Sequence, residues 1–348
     1  MGETCPLTSQ TLCFHMRTIW LQNAFSDPCL FHTILFYASA QIDNISCGTN
    51  RNPITLYHHS QALNRINQRL SANGAIVDDN LVASIALLAM HASVANNAEA
   101  MKIHIRGLMT IVRSRGGLKN LGLAGSLVNM VYMAKIFSSI LNTEEMLGLE
   151  TASSCSPPAP LLQAIIRRVH LKSAEYENAD QILSLFLEVY AAVPRLQDFI
   201  TGKRSLCEWR DARRLTTGTR PSRRATSPEL GNNDSVLWAC ELAVAIFWYL
   251  VDGTSALETE TLDDMFLDLK LALNATDIVQ WMSFSQEALI WICAVGAAIS
   301  QSAFESWWFV MQGASMVMCT NLIHGSIFEE SWFAFKWMRQ LHRLRIVK

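Results

Sequence analysis

The stretch that decides the fold spans residues 79–118 and reads DNLVASIALLAMHASVANNAEAMKIHIRGLMTIVRSRGGL. The pair Asn96-Asn97 divides it into two segments in which apolar residues recur every three or four positions, as on one face of an α-helix. Asp78 or Asp79 is the expected N-cap of the first helix, because a carboxylate there accepts a hydrogen bond from a free backbone N–H. The expected core faces are Val82, Ile85, Ala89 and Ala92 in the first helix, and Met101, Ile105, Leu108 and Val112 in the second.

A glycine pair ends the second of these helices. Gly116-Gly117 follows directly on Arg115, and a chain that leaves a helix often needs a left-handed residue, which glycine supplies without a Cβ clash. Gly122 and Gly125 make the next stretch rich in glycine, as in a phosphate-binding loop. No strand pattern precedes it, so we interpret these glycines as helix punctuation.

Helical periodicity continues through most of the chain. Segments with this pattern span residues 28–45, 54–70, 126–141, 234–251, 260–274, 285–304, 308–321 and 328–344, and two further helices are expected between 161 and 199. The sequence has no alternating pattern long enough for a useful strand. It therefore predicts an all-α protein, an irregular stack of about twelve helices.

The composition excludes several classes of protein. The 348 residues are 50% apolar and only 17% charged, against roughly 25% charged in ordinary soluble domains, and the formal net charge is −2. These values exclude a globally basic nucleic-acid coat protein and a charged disordered tail. The N-terminal residues lack the pattern of a signal peptide. The uncharged run 288–304 is shorter than a membrane span, and we expect it to be a buried helix.

The nine cysteines are expected to be small buried hydrophobic residues. Their number is odd, their spacing is wide and no CxxC pair occurs, which argues against a secreted disulfide framework and against a zinc ribbon. Most of them lie in apolar runs, as Cys240 does beside Trp238 and Cys293 beside Trp291.

One segment differs from the rest in charge. Between Lys203 and Arg224 the chain carries eight basic and two acidic residues. This divides the chain into an N-terminal helical half (1–202), a basic flexible insertion (203–233) and a C-terminal helical half (234–348). Paired cations make the insertion a candidate split nuclear-localisation signal, and its residues are Lys203, Arg204, Arg213, Arg214, Arg223 and Arg224. A solvated loop and a non-specific contact with DNA phosphates are the alternatives.

Signatures of common enzymes are missing from the sequence, which has no GxGxxG, P-loop, HExxH or GxSxG motif. His58-His59 could suggest a metal, but adjacent residues on a helix point about 100° apart, so we interpret them as solvated or interfacial histidines. No catalytic residue, cofactor site or metal site is therefore expected.

The sharpest enzymatic alternative rests on two aspartates. Asp264 and Asp268 lie four positions apart, so their carboxylates share a helix face, as the magnesium ligands of all-α isoprenoid enzymes do. Asn233-Asp234 with Glu241 echoes the second metal-binding motif of terpene cyclases. However, Leu237 stands where a hydroxyl is expected, and the two motifs occur in reversed order, so a solvated acidic face is the preferred interpretation.

Three blocks of the chain resemble the regulatory, or middle homology, domain of the fungal-specific transcription factor family: residues 27–32, residues 79–118 and residues 289–310. The matching residues are His104, Arg106, Gly107, Leu108, Arg115, Gly116, Gly117, Leu118 and Trp291. We interpret them as determinants of the fold. Arg106 and Arg115 can pair with carboxylates or cap carbonyls, Gly107 permits close approach of helices, and Gly116 ends a helix.

The resemblance implies a non-enzymatic regulator of transcription, in the nucleus or alternatively in the cytoplasm, that controls a metabolic pathway. Its expected partners are other regulators or a second copy of itself, together with a small apolar effector, and no membrane. The family's DNA-binding module is a zinc cluster of six closely spaced cysteines. Only Cys5, Cys13, Cys29 and Cys47 lie in the first 50 residues, too far apart for such a cluster, so we expect no sequence-specific DNA binding by this chain alone.

Overall fold

Helices make up nearly all of the part of the chain that the structure describes. The computed structural model describes residues 16–45, 52–72, 77–95, 97–141, 157–201, 232–252, 262–300, 303–319, 330 and 333–341. None of these residues lies in a strand, which confirms the all-α prediction. Residues 203–231, which make up nearly all of the predicted basic insertion, lie outside the described residues.

The chain divides into two compact units. The helices of the first unit are α1 (Leu21–Ser26), α2 (Pro28–Ile45), α3 (Pro53–Ser71), α4 (Asp79–Val94), α5 (Ala98–Ser114) and α6 (Ser126–Leu141). A π-helical turn, Met16–Trp20, precedes α1, and two 3-10 turns, Leu118–Asn120 and Leu123–Gly125, join α5 to α6.

The second unit holds the remaining helices, apart from the last two residues of α13. They are α7 (Ala159–Leu171), α8 (Ala179–Ile200), α9 (Asn232–Asp252), α10 (Leu262–Asn274), α11 (Ile278–Phe284), α12 (Gln286–Ile299), α13 (Ala303–Cys319) and α14 (333–341). The boundary between the two units falls before α7 and not at the basic segment. That the basic segment separates two halves of one domain stays a prediction.

Side-chain caps explain where several helices begin. Asp78, and not Asp79, caps α4 by accepting a hydrogen bond from the backbone N–H of Leu81. Asn97 caps α5 in the same way, so the asparagine pair that is expected to separate the two helices also starts the second one.

The core of the first unit is built around α4. All residues from 81 to 93 are buried, because α2, α5 and α6 pack against this helix from different sides. The four predicted core residues are buried, but so are the residues between them, and a helix surrounded in this way carries no polar face. In contrast, α5 is amphipathic, and its predicted face of Met101, Ile105, Leu108 and Val112 is buried.

The core of the second unit is built around α12. Residues 288–300 are all buried, as expected for this uncharged run. Trp291 packs edge-on against Phe186, with ring centroids 5.3 Å apart, and lies 5.9 Å from the ring of Phe247. Cys240 and Cys293 are free and buried, and burial raises the pKa of both thiols.

No single helix in the described ranges is long and apolar enough to cross a membrane. Within those ranges, only α11 and α12 taken together pass that test of length and composition, and the two are bent by 120° with respect to each other.

One arginine fixes the start of two helices in the first unit. Arg69, in the last turn of α3, places Nη1 2.8 Å from Oδ2 of Asp27 and Nη2 2.5 Å from Oδ2 of Asp78. The other oxygen of Asp27 accepts hydrogen bonds from the first turn of α2, and Oδ1 of Asp78 caps α4. Each carboxylate thus divides its two oxygens between a helix cap and the guanidinium. We call this arrangement the Arg69 clamp.

Replacing Arg69 by Gln should destabilise the first unit by about 1–3 kcal/mol, because the carboxylate of Asp27 loses its charge partner while only 13% of the side chain is exposed. The measurement is the urea midpoint followed by circular dichroism. Arg167→Gln, on the exposed face of α7, is the matched control and should change stability by no more than about 0.5 kcal/mol. Equal losses in the two variants would contradict the clamp.

Candidate functional site

The residues that carry the family resemblance are not gathered at one place. His104, Arg106, Gly107 and Leu108 lie on α5, and Arg115 to Leu118 form the turn after it. Trp291 lies in the second unit, on α12. The only compact cluster among them is the turn, which we call the arginine–glycine turn and which extends from Arg115 to Gly122.

Arg115 is the centre of the arginine–glycine turn. Its Nη1 lies 2.5 Å from Oδ1 of Asp79, and its Nη2 donates to the carbonyl of Asn120 at 3.1 Å. The side-chain amide of Asn120 donates in return to the carbonyl of Arg115 at 2.7 Å. Arg115 therefore makes both kinds of contact expected of it, an ion pair with a carboxylate and a bond to a backbone carbonyl.

The glycines let the chain leave α5 and fold back toward the start of α4. Gly116 and Gly117 have φ values of +84° and +99°, in the left-handed region that strains other residues. Their N–H groups donate to the carbonyls of Arg113 and Val112 at the end of the helix. A Cβ on Gly116 would lie 2.5 Å from the side-chain nitrogen of Asn120, so this position excludes a side chain on two grounds.

Gly122 has a structural role in the turn, although its sequence context indicates only a glycine that marks the end of a helix. A Cβ on Gly122 would collide with the carboxylate of Asp79, the same group that pairs with Arg115. The position therefore needs glycine for close approach and not for a positive φ. No local sequence signal reveals this, because Asp79 lies on a different helix.

The packing role predicted for Gly107 is wrong. A Cβ built on this glycine meets no described atom within 4 Å, so Gly107 does not permit a close approach of helices. Its neighbour Arg106 is exposed, and its guanidinium has no ion pair with any described residue. The two residues lie on the outer side of α5, whereas Leu108 is fully buried.

His104 is held in its neutral form. Burial lowers the pKa of this imidazole to about 4, and nearby His59 adds a smaller contribution in the same direction. A histidine with such a low pKa carries no charge near neutral pH. Thus His104 belongs to the packing of the first unit.

The two aspartates of the enzymatic alternative lie four positions apart on α10 and are coupled electrostatically. Burial, and then the carboxylate of Asp264, raise the pKa of Asp268. Asp264 is exposed on α10. In the second motif, Leu237 is buried and Glu241 accepts a hydrogen bond from Gln181, while the side chains of Asn233 and Asp234 lie outside the described part of the chain.

Metal-ligating side chains do not converge in the part of the chain that the structure describes. No group of three or more His, Cys, Asp or Glu residues there is arranged to hold an ion. His58 and His59 lie at the interface of α3 with α2, where His59 stacks on the ring of Phe36. The candidate nuclear signal falls outside the described residues, and its members are Lys203, Arg204, Arg213, Arg214, Arg223 and Arg224.

Two glycine-to-alanine exchanges should have opposite effects. Gly117→Ala places a Cβ at φ +99°, which should cost about 1–3 kcal/mol. Gly107→Ala removes a flexible residue from a helix interior with open space around it, which should add about 0.5–1 kcal/mol. Urea unfolding of the two variants measures the difference. Loss of stability in Gly107→Ala equal to that in Gly117→Ala would show that Gly107 has the packing role predicted from the sequence.

The chain matches one known protein family over most of its length. Residues 4–233 match the family model of the fungal specific transcription factor domain. The first two resembling blocks and the basic segment lie within the match, and the block with Trp291 lies C-terminal to it. No curated protein and no solved structure shows a significant match to the chain. Because the match covers more than half of the residues, the chain belongs to the fungal-specific transcription factor domain family.

Proposed function

We propose that this chain is a regulatory domain that acts on transcription through contacts with other proteins or with a small apolar effector. Family membership supports a role in transcription regulation. The observation that carries the finer proposal is the arginine–glycine turn. Arg115 is engaged by Asp79 and Asn120, and the turn glycines serve the backbone, so the most recognisable residues are committed to the fold. Regulation is then left to the surfaces that this fold presents.

The state of Cys29 supports the proposal that the chain does not read DNA by itself. Cys29 is buried on α2, and its Sγ lies 3.6 Å from the hydroxyl of Ser84 on α4. Burial raises the pKa of its thiol, whereas a zinc ligand must be a thiolate. Cys29 is therefore a core residue, and a cluster of six cysteines cannot be completed from those that remain in the first 50 residues.

The proposal is tested by tethering the chain to a promoter. Fused to an unrelated DNA-binding domain in a fungal host, the chain should change transcription of a reporter that carries the matching site. The untethered chain should bind duplexes only non-specifically, with a Kd on the order of 10⁻⁴–10⁻⁶ M at physiological salt.

Two results would contradict this function. One is a tethered chain that is folded and abundant but leaves the reporter unchanged. The other is sub-micromolar, sequence-selective binding by the untethered chain, which would mean that it reads DNA itself. The reporter without its binding site is the control for indirect effects.

We also propose that the chain acts in the nucleus and that its basic segment directs it there. The support is the charge of the segment, eight basic against two acidic residues from Lys203 to Arg224. A transcription-factor family implies a nuclear role. Dimerisation and contacts with other regulators belong to the same proposal.

Removing charge from the segment should move the protein to the cytoplasm. The variant replaces Lys203, Arg204, Arg213, Arg214, Arg223 and Arg224 by Gln in a fluorescent fusion large enough to prevent passive passage through nuclear pores. The control replaces exposed cations on other parts of the chain, namely Arg106, Arg113, Lys119 and Arg167, and should stay nuclear. Unchanged nuclear retention of the first variant would reduce the segment to an ordinary solvated loop.

The alternative function, an all-α metal-dependent enzyme acting on isoprenoid diphosphates, has one supporting observation. Asp264 and Asp268 are close enough for one carboxylate to raise the pKa of the other. A pair of this kind needs further ligands to hold a metal ion. In the second motif, Leu237 is buried and Glu241 accepts a hydrogen bond from Gln181. Magnesium-dependent turnover of a prenyl diphosphate by this chain would favour the enzymatic function over the regulatory one.

A further inference from the structure

Five of the nine histidines in the chain lie on four consecutive helices of the first unit. Along the interface of α2 with α3 and α4, ring contacts link His32 to His58, and Phe36 contacts both His59 and His91. His104 on α5 is coupled to the set through the charge of His59. We call this set the histidine seam, and its members are His32, His58, His59, His91 and His104.

The centre of the seam is a head-on pair of imidazoles. Nδ1 of His32 lies 2.9 Å from Nδ1 of His58, and the ring centroids are 5.1 Å apart. The difference, 5.1 − 2.9 = 2.2 Å, is about twice the distance from the centre of an imidazole to its own nitrogen, so both nitrogens lie close to the line that joins the rings. Two nitrogens that face each other in this way share one proton, whereas metal ligands would both point at a third position.

Aromatic packing holds the other histidines at the same interface. The ring of His59 stacks on Phe36, with centroids 4.3 Å apart, and His91 meets Phe36 edge-on at 4.4 Å. Phe36 is fully buried on α2. Tyr57 packs edge-on against His32 from α3. Neutral rings suit such contacts, because an imidazolium would have to leave water to make them.

The charges that face the seam oppose further protonation. Burial lowers the pKa of His32 first, followed by the effects of His58 and of the guanidinium of Arg65 on α3. The Nε of Arg65 is buried and has no hydrogen-bond partner among the residues described. Burial raises the pKa of Tyr37 on α2 to about 12, so that phenol stays neutral.

Carboxylates on the packed helices have other partners. Asp27 and Asp78 pair with Arg69, Asp79 pairs with Arg115, and Asp43 accepts the backbone N–H of Asn52. Helix α1 has no titratable side chain. The remaining charged groups of α5 and α6 are Glu99, Lys102, Arg106, Arg113 and Lys135. No carboxylate is a cause of the lowered pKa values of His32 and His104, and none raises them.

We propose that the histidine seam is an acid-sensitive latch, which holds α3 against α2 while its imidazoles are neutral and releases α3 when they are protonated. The first proton from solvent leaves the head-on pair intact, because an imidazolium still donates to its neutral partner. The second proton removes the acceptor of that bond and places two like charges at 2.9 Å beside Arg65. Release therefore follows the second protonation and the loss of the neutral ring contacts.

The direction of the pH dependence follows from the lowered pKa values. A histidine whose pKa is below 6.5 in the folded chain and near 6.5 in the unfolded chain contributes its full stability above pH 6.5. That contribution is lost as the pH falls from 6.5 toward the folded pKa, which is about 4 for His104. Each such histidine lowers the ratio of folded to unfolded chain by up to about tenfold per pH unit in this window.

The test compares three proteins in urea unfolding between pH 7.5 and pH 5.0. The native chain should lose at least about tenfold in its folded-to-unfolded ratio below pH 6.5. His32→Gln/His58→Gln should lose clearly less and keep the share that His104 contributes, because glutamine does not titrate. His170→Gln, which removes an exposed histidine from α7, is the control and should behave as the native chain. Full pH dependence in the double variant would overturn the latch.

A second measurement on the native chain covers the case in which the double variant does not fold. Histidine-selective NMR should show the imidazole of His32 titrating below the ordinary range of histidine, while the amides of α3 lose protection from hydrogen exchange in the same pH range. Titration of His32 in the ordinary range, with the protection of α3 unchanged, would overturn the proposal. Stabilisation of α3 by Zn²⁺ at pH 7.5 would replace the latch by a metal site.

Discussion

The first unit depends on the Arg69 clamp, because its central helix cannot anchor itself. Helix α4 is buried on all sides, so no polar face distinguishes one side of the helix from another. The polar residues at its N-terminal end fix its position instead. Asp78 is held by Arg69 from α3, and the adjacent Asp79 is held by Arg115 from the turn after α5. Two neighbouring carboxylates thus fix α4 between helices that precede and follow it in the sequence.

This arrangement explains why the recognisable residues of the family carry little information about mechanism. Arg115 and Gly117 are required because the chain must turn after α5 and return to Asp79. In this chain these residues serve the fold, and a fold by itself does not specify an effector or a partner. Residues that decide what this chain responds to are expected outside that turn, at positions such as the histidine seam.

Local signals predict helix positions well and long-range contacts poorly. The bounds of α2 and α6 match the predictions at both ends, because periodic apolar residues define them. The run 285–304 is predicted as one helix, but α12 ends at Ile299, since an apolar composition does not show where a buried helix stops. Periodicity misses helix α11 although Asp277 and Gln280 form a capping box, because its seven residues are too few for a clear period. Periodicity and capping signals do not predict the contacts that matter most for the candidate site. The Arg69 clamp joins residues that are distant in the sequence. The need for glycine at position 122 depends on Asp79, which lies on another helix.

The clamp and the seam act on the same pair of helices but respond differently to acid. Arg69 holds the C-terminal end of α3 to the start of α2 by an ion pair between its guanidinium and the carboxylate of Asp27, which involves no histidine. His58 and His59 lie in the N-terminal half of α3, and their contacts with α2 depend on neutral rings. In the proposed latch, protonation therefore acts on the end of this interface that the histidines hold, and the Arg69 clamp contributes at the other end without a titrating imidazole.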